Sequence, residues 1–274
     1  MISDQERLSR YVESWHSAVT DVVALLRSLE DTDWSRPTDL PGWDVKGVAC
    51  HLAHIESDLC GVKQKRVEVP ELEHLTSPTS VFTEMGLIAR ADMSGAEITD
   101  ELEKCAHSRY EQLLADPPTD GKADPPRTPG KIGWNWETLL SNRVVDVWMH
   151  EQDIRRAVGR PGGMNTPGAD HTISTFARSF PYIVGKRVAP AAGTTVVLDV
   201  TGVSPIHLAV EIDESGRAVP TSPDPADPTV TLRMDVETFA VLGGGRRSVA
   251  DLPVEIEGDQ ELGRRILEAA AVTP

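Results

Sequence analysis

The chain lacks the cysteine needed for a disulfide framework. Its three cysteines in 274 residues, Cys50, Cys60 and Cys105, form no CxxC pair and are odd in number, so they read as inert thiols in a reducing compartment. It also lacks any run of ~18 apolar residues, which excludes a transmembrane helix. The start, MISDQERLSR, is polar and acidic, unlike a signal peptide, and the expected location is the cytoplasm. Positive charge is scarce. Against 43 Asp and Glu stand 27 Lys and Arg, a formal net charge of −16. A surface of that sign repels phosphate backbones, so neither nucleic acid nor a membrane is an expected partner. The glycine run at 243–245 has no strand-GxxxxGK context and reads as a turn, not a phosphate loop.

What is present begins with helical periodicity. Leu8, Tyr11, Val12, Trp15, Val19, Val22, Val23, Leu26 and Leu29 recur at steps of three and four and line one face. Ser3 followed by Glu6 is a capping-box signature at the start of that helix. Pro37 and Pro41-Gly42 break the chain. A second helix is expected from an Asp44 N-cap through VKGVACHLAHIESDLCGVKQ. One or two more lie between Ser80 and Leu114, with Ser94 and Glu97 again at capping-box spacing. Residues 115–130, ADPPTDGKADPPRTPG, carry too much proline and glycine for regular structure. A loop of that length is disordered or functional, and a lid over a site is one expectation for it. The next helix contains WETLLSNRVVDVWMHEQDIRRAVG. Arg155, Arg156 and then Gly159 suit its C-terminus.

The texture changes after Pro161-Gly162-Gly163. A helix over 168–184 precedes the β-branched runs TTVVLDV, IHLAVEI and TVTLRM, which read as strands. Helical pieces near 235–243 and 259–270 bracket a short strand, PVEIEG. The expected fold class is α+β. Residues 1–164 form a helical bundle, and 165–274 form a smaller α+β domain.

Asp146 and His150 lie four apart, which stacks them on one helix face within reach of one ion. Imidazole and carboxylate are standard ligands of divalent metals. Spacing alone is more often that of an ion pair or a hydrogen-bonded pair at a surface. The apolar neighbours Val144, Val145, Val147 and Trp148 imply a buried carboxylate, which needs a compensating charge. His51, on another helix, is a candidate third ligand, and three protein ligands leave one position open. His54 reads as exposed or hydrogen-bonded. Glu56 and Asp153 read as helix-surface acids or as partners that orient ligand imidazoles. Trp43, Trp134, Trp136 and Trp148 read as core. His16, His74, His107, His171 and His207 have no partner spacing.

The string LPGWDVKGVACHLAH resembles the opening motif of the DinB-like superfamily. More narrowly, it is similar to the mycothiol-dependent maleylpyruvate isomerase family, through Leu40, Pro41, Gly42, Trp43 and His51. A second family motif is matched by Asp146, His150, Asp153 and Ile154. DPTVTLRMDVETFAVLGGG and VEIEGDQELGRRIL are similar to the family's second, sterol-carrier-like domain. The resemblance implies a DinB-like four-helix bundle with zinc or a related divalent metal on His51, Asp146 and His150. Asp146 stands where the better-known isomerases have Glu. It implies mycothiol as cosubstrate and a small electrophilic substrate, with isomerisation or thiol transfer as the reaction. It also implies a second-domain arginine that binds a carboxylate, for which Arg233 is the choice ahead of Arg246 and Arg247. A monomer or homodimer is expected. Two readings compete with this one: a DinB-like metal-dependent hydrolase or damage-response protein that does not use mycothiol, and a non-enzymatic binder of an apolar ligand.

Overall fold

The computed structural model describes residues 2–70 and 77–273; His74 lies outside them. The chain divides between Gly168 and Ala169 into two compact units.

In the first unit four long helices form a bundle: α1 (Asp4–Arg27), α2 (Val45–Leu59), α4 (Gly95–Ala115) and α5 (Trp136–Val158), with the shorter α3 (Pro78–Ala89) beside α2. Local chemistry sets the ends. Ser3 and Glu6 exchange both bonds of a capping box at α1, as do Ser94 and Glu97 at α4, satisfying amide donors that a helix start leaves free. Asp44 accepts from the Gly47 amide at the start of α2. That helix is shorter than its sequence suggests, ending at Leu59 instead of continuing to Gln64. The Gly61 amide bonds back to Asp58 and the Val62 amide to Ser57. This is a Schellman closure, which needs the left-handed backbone glycine supplies, here φ +95°. The bundle core is made by Leu8, Trp15, Leu52, Leu102, Leu140 and Val144, all fully buried. Each such side chain contributes about 1.5–3 kcal/mol on burial.

The loop before α5 is tied down. Gly121 donates to Asp4, and its carbonyl and that of Ala123 accept from the Glu137 and Trp136 amides. A 3₁₀ turn at Pro129–Lys131 is its one regular piece.

The second unit holds a five-stranded sheet of order β3-β2-β1-β4-β5. Its strands are β1 (Thr195–Thr201), β2 (Ile206–Ile212), β3 (Ala218–Pro220), β4 (Val230–Asp235) and β5 (Glu255–Gly258). β1 and β4 are parallel and the other pairs antiparallel. α6 (Pro167–Tyr182) continues into a π-helical turn, Ile183–Val188, that the sequence does not signal. Leu198 and Leu232 sit opposite each other and face Phe176 and Phe180 of α6, with Phe239 of α7 (Val236–Gly243) and Ile266 of α8 (Gln260–Glu268). Alternation places Asp199, His207 and Arg233 on the other, polar face. No helix among the described residues is long and apolar enough to cross a membrane.

Candidate metal centre

The segment Leu40-Pro41-Gly42-Trp43 is a tight turn. The Trp43 amide donates to the Leu40 carbonyl at 3.1 Å, and Gly42 takes φ +81°. Proline then glycine at the two central positions suits a type II turn. The turn delivers Trp43 beside two imidazoles, its ring centroid 5.3 Å from that of His51 and 6.2 Å from that of His150.

His51 comes from the middle of α2; Asp146 and His150 come from successive turns of α5. Asp146 Oδ1 lies 3.4 Å from His51 Nε2 and 3.6 Å from His150 Nε2. One ligand atom from each of the three residues lies within 4.8 Å of the others. Such separations are too long for good hydrogen bonds, which run about 2.7–3.2 Å. The two separations from Asp146 match edges of a coordination tetrahedron, since bonds of about 2.0–2.2 Å set ligand atoms about 3.3–3.6 Å apart. The donor set therefore fits a divalent ion of the zinc type.

Protonation agrees with that use. Burial pushes the His51 imidazole below its ordinary value, ahead of the opposing pull of Asp146, so it is neutral at neutral pH. Burial acts to raise the Asp146 carboxyl, but Arg143, His51 and His150 outweigh it and hold the group well below the usual carboxylate range. A neutral imidazole and an ionised carboxylate are the forms that bind metal. Asp153 Oδ2 lies 3.1 Å from His150 Nδ1, which fixes the proton there and leaves Nε2 its lone pair. Asp153 is in turn held by Arg156, which also pairs with Asp39. His51 Nδ1 is buried with no hydrogen-bond partner.

Other candidates have different surroundings. His54 Nδ1 lies 3.0 Å from Gln64 and 3.3 Å from Arg90, and its ring packs on Phe82. Burial and Arg90 push it down to about 4. It takes the hydrogen-bonded alternative. Glu56 is no surface acid: it is fully buried and gripped by Arg109, Arg143 and the Trp15 indole. Trp148 is core as expected, while Trp134 and Trp136 pack half-buried on Ile55, Leu59 and Leu139. Trp43 is half-buried against the bundle core and also packs beside both imidazoles. The three cysteines are free, and burial pushes the Cys50 thiol up to about 11 and Cys105 up to about 12. Arg233 lies on the polar face of its sheet, 2.6 Å from Glu257 and 3.6 Å from Asp199. The sequence gives Arg143 no role, although an arginine three residues before Asp146 in an apolar run is a signal in itself.

Comparison with known proteins bears on the whole chain. The family profile of the mycothiol maleylpyruvate isomerase N-terminal domain matches residues 15–155, and that of the corresponding C-terminal domain matches 170–265. No curated protein matches. The crystal structure of the mycothiol-dependent maleylpyruvate isomerase is similar, with a TM-score of 0.54 and 16% identity over 94% of this chain and 96% of that one. The structure of a point mutant of that isomerase gives 0.53 and 14% over 93% and 96%. At such identity the likeness establishes the shared fold, and the profiles establish the kinship. The chain belongs to the mycothiol maleylpyruvate isomerase family.

Proposed function

We propose that this protein is a metal-dependent enzyme that uses mycothiol to isomerise, or to transfer the thiol to, a small electrophilic substrate. The observation that carries the reading is the convergence of His51, Asp146 and His150, whose ligand atoms lie within 4.8 Å of one another, with Asp146 Oδ1 3.4 and 3.6 Å from the two imidazole nitrogens; three protein ligands would leave a fourth position for the thiol. Family membership supports mycothiol as the thiol. When bound, a zinc-type ion supplies a Lewis acid that lowers the pKa of an incoming thiol.

The chain's own groups do the rest. With one carboxylate and two imidazoles as its donors, a divalent ion bound here would keep a net positive charge to attract a thiolate. Asp153 aims His150, and Trp43 walls the imidazoles on one side. The raised Cys50 and Cys105 supply no thiolate of their own at neutral pH. In isomerisation the thiolate adds to one carbon of a cis double bond. The resulting single bond rotates, and expulsion of the thiolate restores the double bond as trans. In transfer the neighbouring carbon takes a proton and the sulfur stays. Arg233 is retained as the proposed carboxylate anchor; engaging a substrate requires it to exchange Glu257 for that carboxylate. In the second unit the apolar void among Phe176, Leu198, Leu232 and Ile266 holds about 20 Å³, roughly one water, so that void gives the apolar-ligand reading no support.

The test is cobalt substitution. Adding mycothiol to the cobalt protein should produce a thiolate-to-metal charge-transfer band. Absence of the band at saturating thiol overturns the mycothiol reading, and failure to bind any divalent metal overturns the whole. Asp153→Asn should weaken zinc binding about 10–100-fold, the usual cost of losing a group that orients a ligand. Chelator competition measures it, and affinity within twofold of wild type would remove Asp153 from the site.

A further inference from the structure

The two oxygens of Asp146 face different neighbours. Oδ1 points to the histidines at 3.4 and 3.6 Å. Oδ2 accepts a hydrogen bond from Arg143 Nη1 at 2.7 Å. Arg143 has no freedom to leave. It is 2% exposed, and its Nε and Nη2 donate to Glu56 Oε1 at 3.1 and 2.8 Å. Glu56 is itself fixed by the Trp15 indole at 2.9 Å and Arg109 at 3.0 Å. Each of the four long helices contributes to this chain of contacts: Trp15 on α1, Glu56 on α2, Arg109 on α4, and both Arg143 and Asp146 on α5.

The charges also close. Two guanidinium groups meet two carboxylates, with Asp146 the member that reaches the candidate metal centre. A network serving only to clamp helices would be complete with Glu56 between Arg109 and Arg143. The third arm of Arg143 does something more.

We infer that Arg143 is a positioning residue that reserves Asp146 Oδ2, so that the carboxylate gives a metal only Oδ1. This rests on the proposed function above. A carboxylate free to swing would bind through both oxygens, adding a fifth donor that crowds the position a thiol needs. Holding one oxygen on an arginine keeps three protein ligands and one open site. It also draws electron density from the carboxylate, which leaves the ion more electrophilic. Lysine cannot substitute, because a single ammonium cannot span Glu56 and Asp146 as the planar fork does.

Two measurements test it. In a structure of the zinc-loaded wild-type protein, Asp146 should bind through Oδ1 alone with Oδ2 still on Arg143; bidentate Asp146 overturns the inference. In cobalt-loaded Arg143→Lys, the visible ligand-field absorption should fall about twofold or more as coordination expands from four to five. Helix content by circular dichroism should stay at the wild-type level. A folded Arg143→Lys protein with the wild-type cobalt spectrum also overturns it. If that variant does not fold, the wild-type zinc structure decides. Wild-type protein that takes up neither zinc nor cobalt fails the metal reading itself, an outcome distinct from metal bound through a bidentate Asp146.

Discussion

Alanine in place of His150 is expected to strip the protein of its metal while the bundle stays folded. The side chain supplies one of three converging ligand atoms, so its loss should cost more affinity than the roughly 10–100-fold lost with an orienting group. Elemental analysis after gel filtration in metal-free buffer should find about one ion per wild-type chain and less than about a tenth of that in His150→Ala. His51→Ala should behave alike, since its Nε2 has the same relation to Asp146. Stability gives an independent reading. A ligand that binds only the folded state adds about 2.7 kcal/mol at 100 times its Kd. Wild-type protein should gain that increment from zinc and lose it to a chelator, whereas both variants should be indifferent to either. Within the metal-free cluster the contacts of 3.4 and 3.6 Å are poor hydrogen bonds and His51 Nδ1 has no partner; His150→Ala also loses the 3.1 Å bond to Asp153, which Arg156 still holds. Retention of wild-type metal content by either variant would show that the ion, if any, sits elsewhere.

Much of this architecture was legible because its causes are local. A capping box spans three residues, and Ser3–Glu6 and Ser94–Glu97 form as written. The strands expected at TTVVLDV, IHLAVEI, TVTLRM and PVEIEG are β1, β2, β4 and β5. β3 was not legible: three residues ending in Pro220 carry no period, and it exists because β2 offers an edge to pair with. The end of α2 could have been read, since Gly61 is the residue a helix stop needs. The site divides along the same line. Asp146 and His150 share a helix and betray themselves by spacing. His51 lies 95 residues from Asp146, and only the resemblance of LPGWDVKGVACHLAH joined them. Glu56 was missed for the same reason. A helix period cannot say that a carboxylate will meet arginines 53 and 87 positions away, and without them burial would be prohibitive.

Glu56 therefore carries the largest stability effect expected outside the metal site. Glu56→Ala leaves Arg109 and Arg143 buried, with Asp146 alone to offset them. Breaking a buried pair by removing one partner costs about 3–5 kcal/mol, much of the roughly 5–15 kcal/mol that holds a domain. The Arg109 Nη2 atom already lacks a partner, so no slack exists to absorb the loss. Glu56→Gln keeps the shape and the Trp15 bond but not the charge. Its cost should be smaller, about 1.5–3 kcal/mol, the worth of a hydrogen bond to a charged group. Denaturant unfolding of the metal-free proteins measures both. The pH dependence has a definite sign. Burial acts to raise the Glu56 carboxyl, yet Arg143 and Arg109 overcome it and hold the group below its ordinary value of 4.5. A carboxylate depressed in the folded state contributes stability that is complete above its unfolded value. That contribution is lost as pH falls through the folded one. The gap between wild type and Glu56→Gln should thus be constant from neutral pH down to about 5 and should narrow below it. A gap that stays level to about pH 3 would mean that Glu56 holds its helices by shape and not by charge.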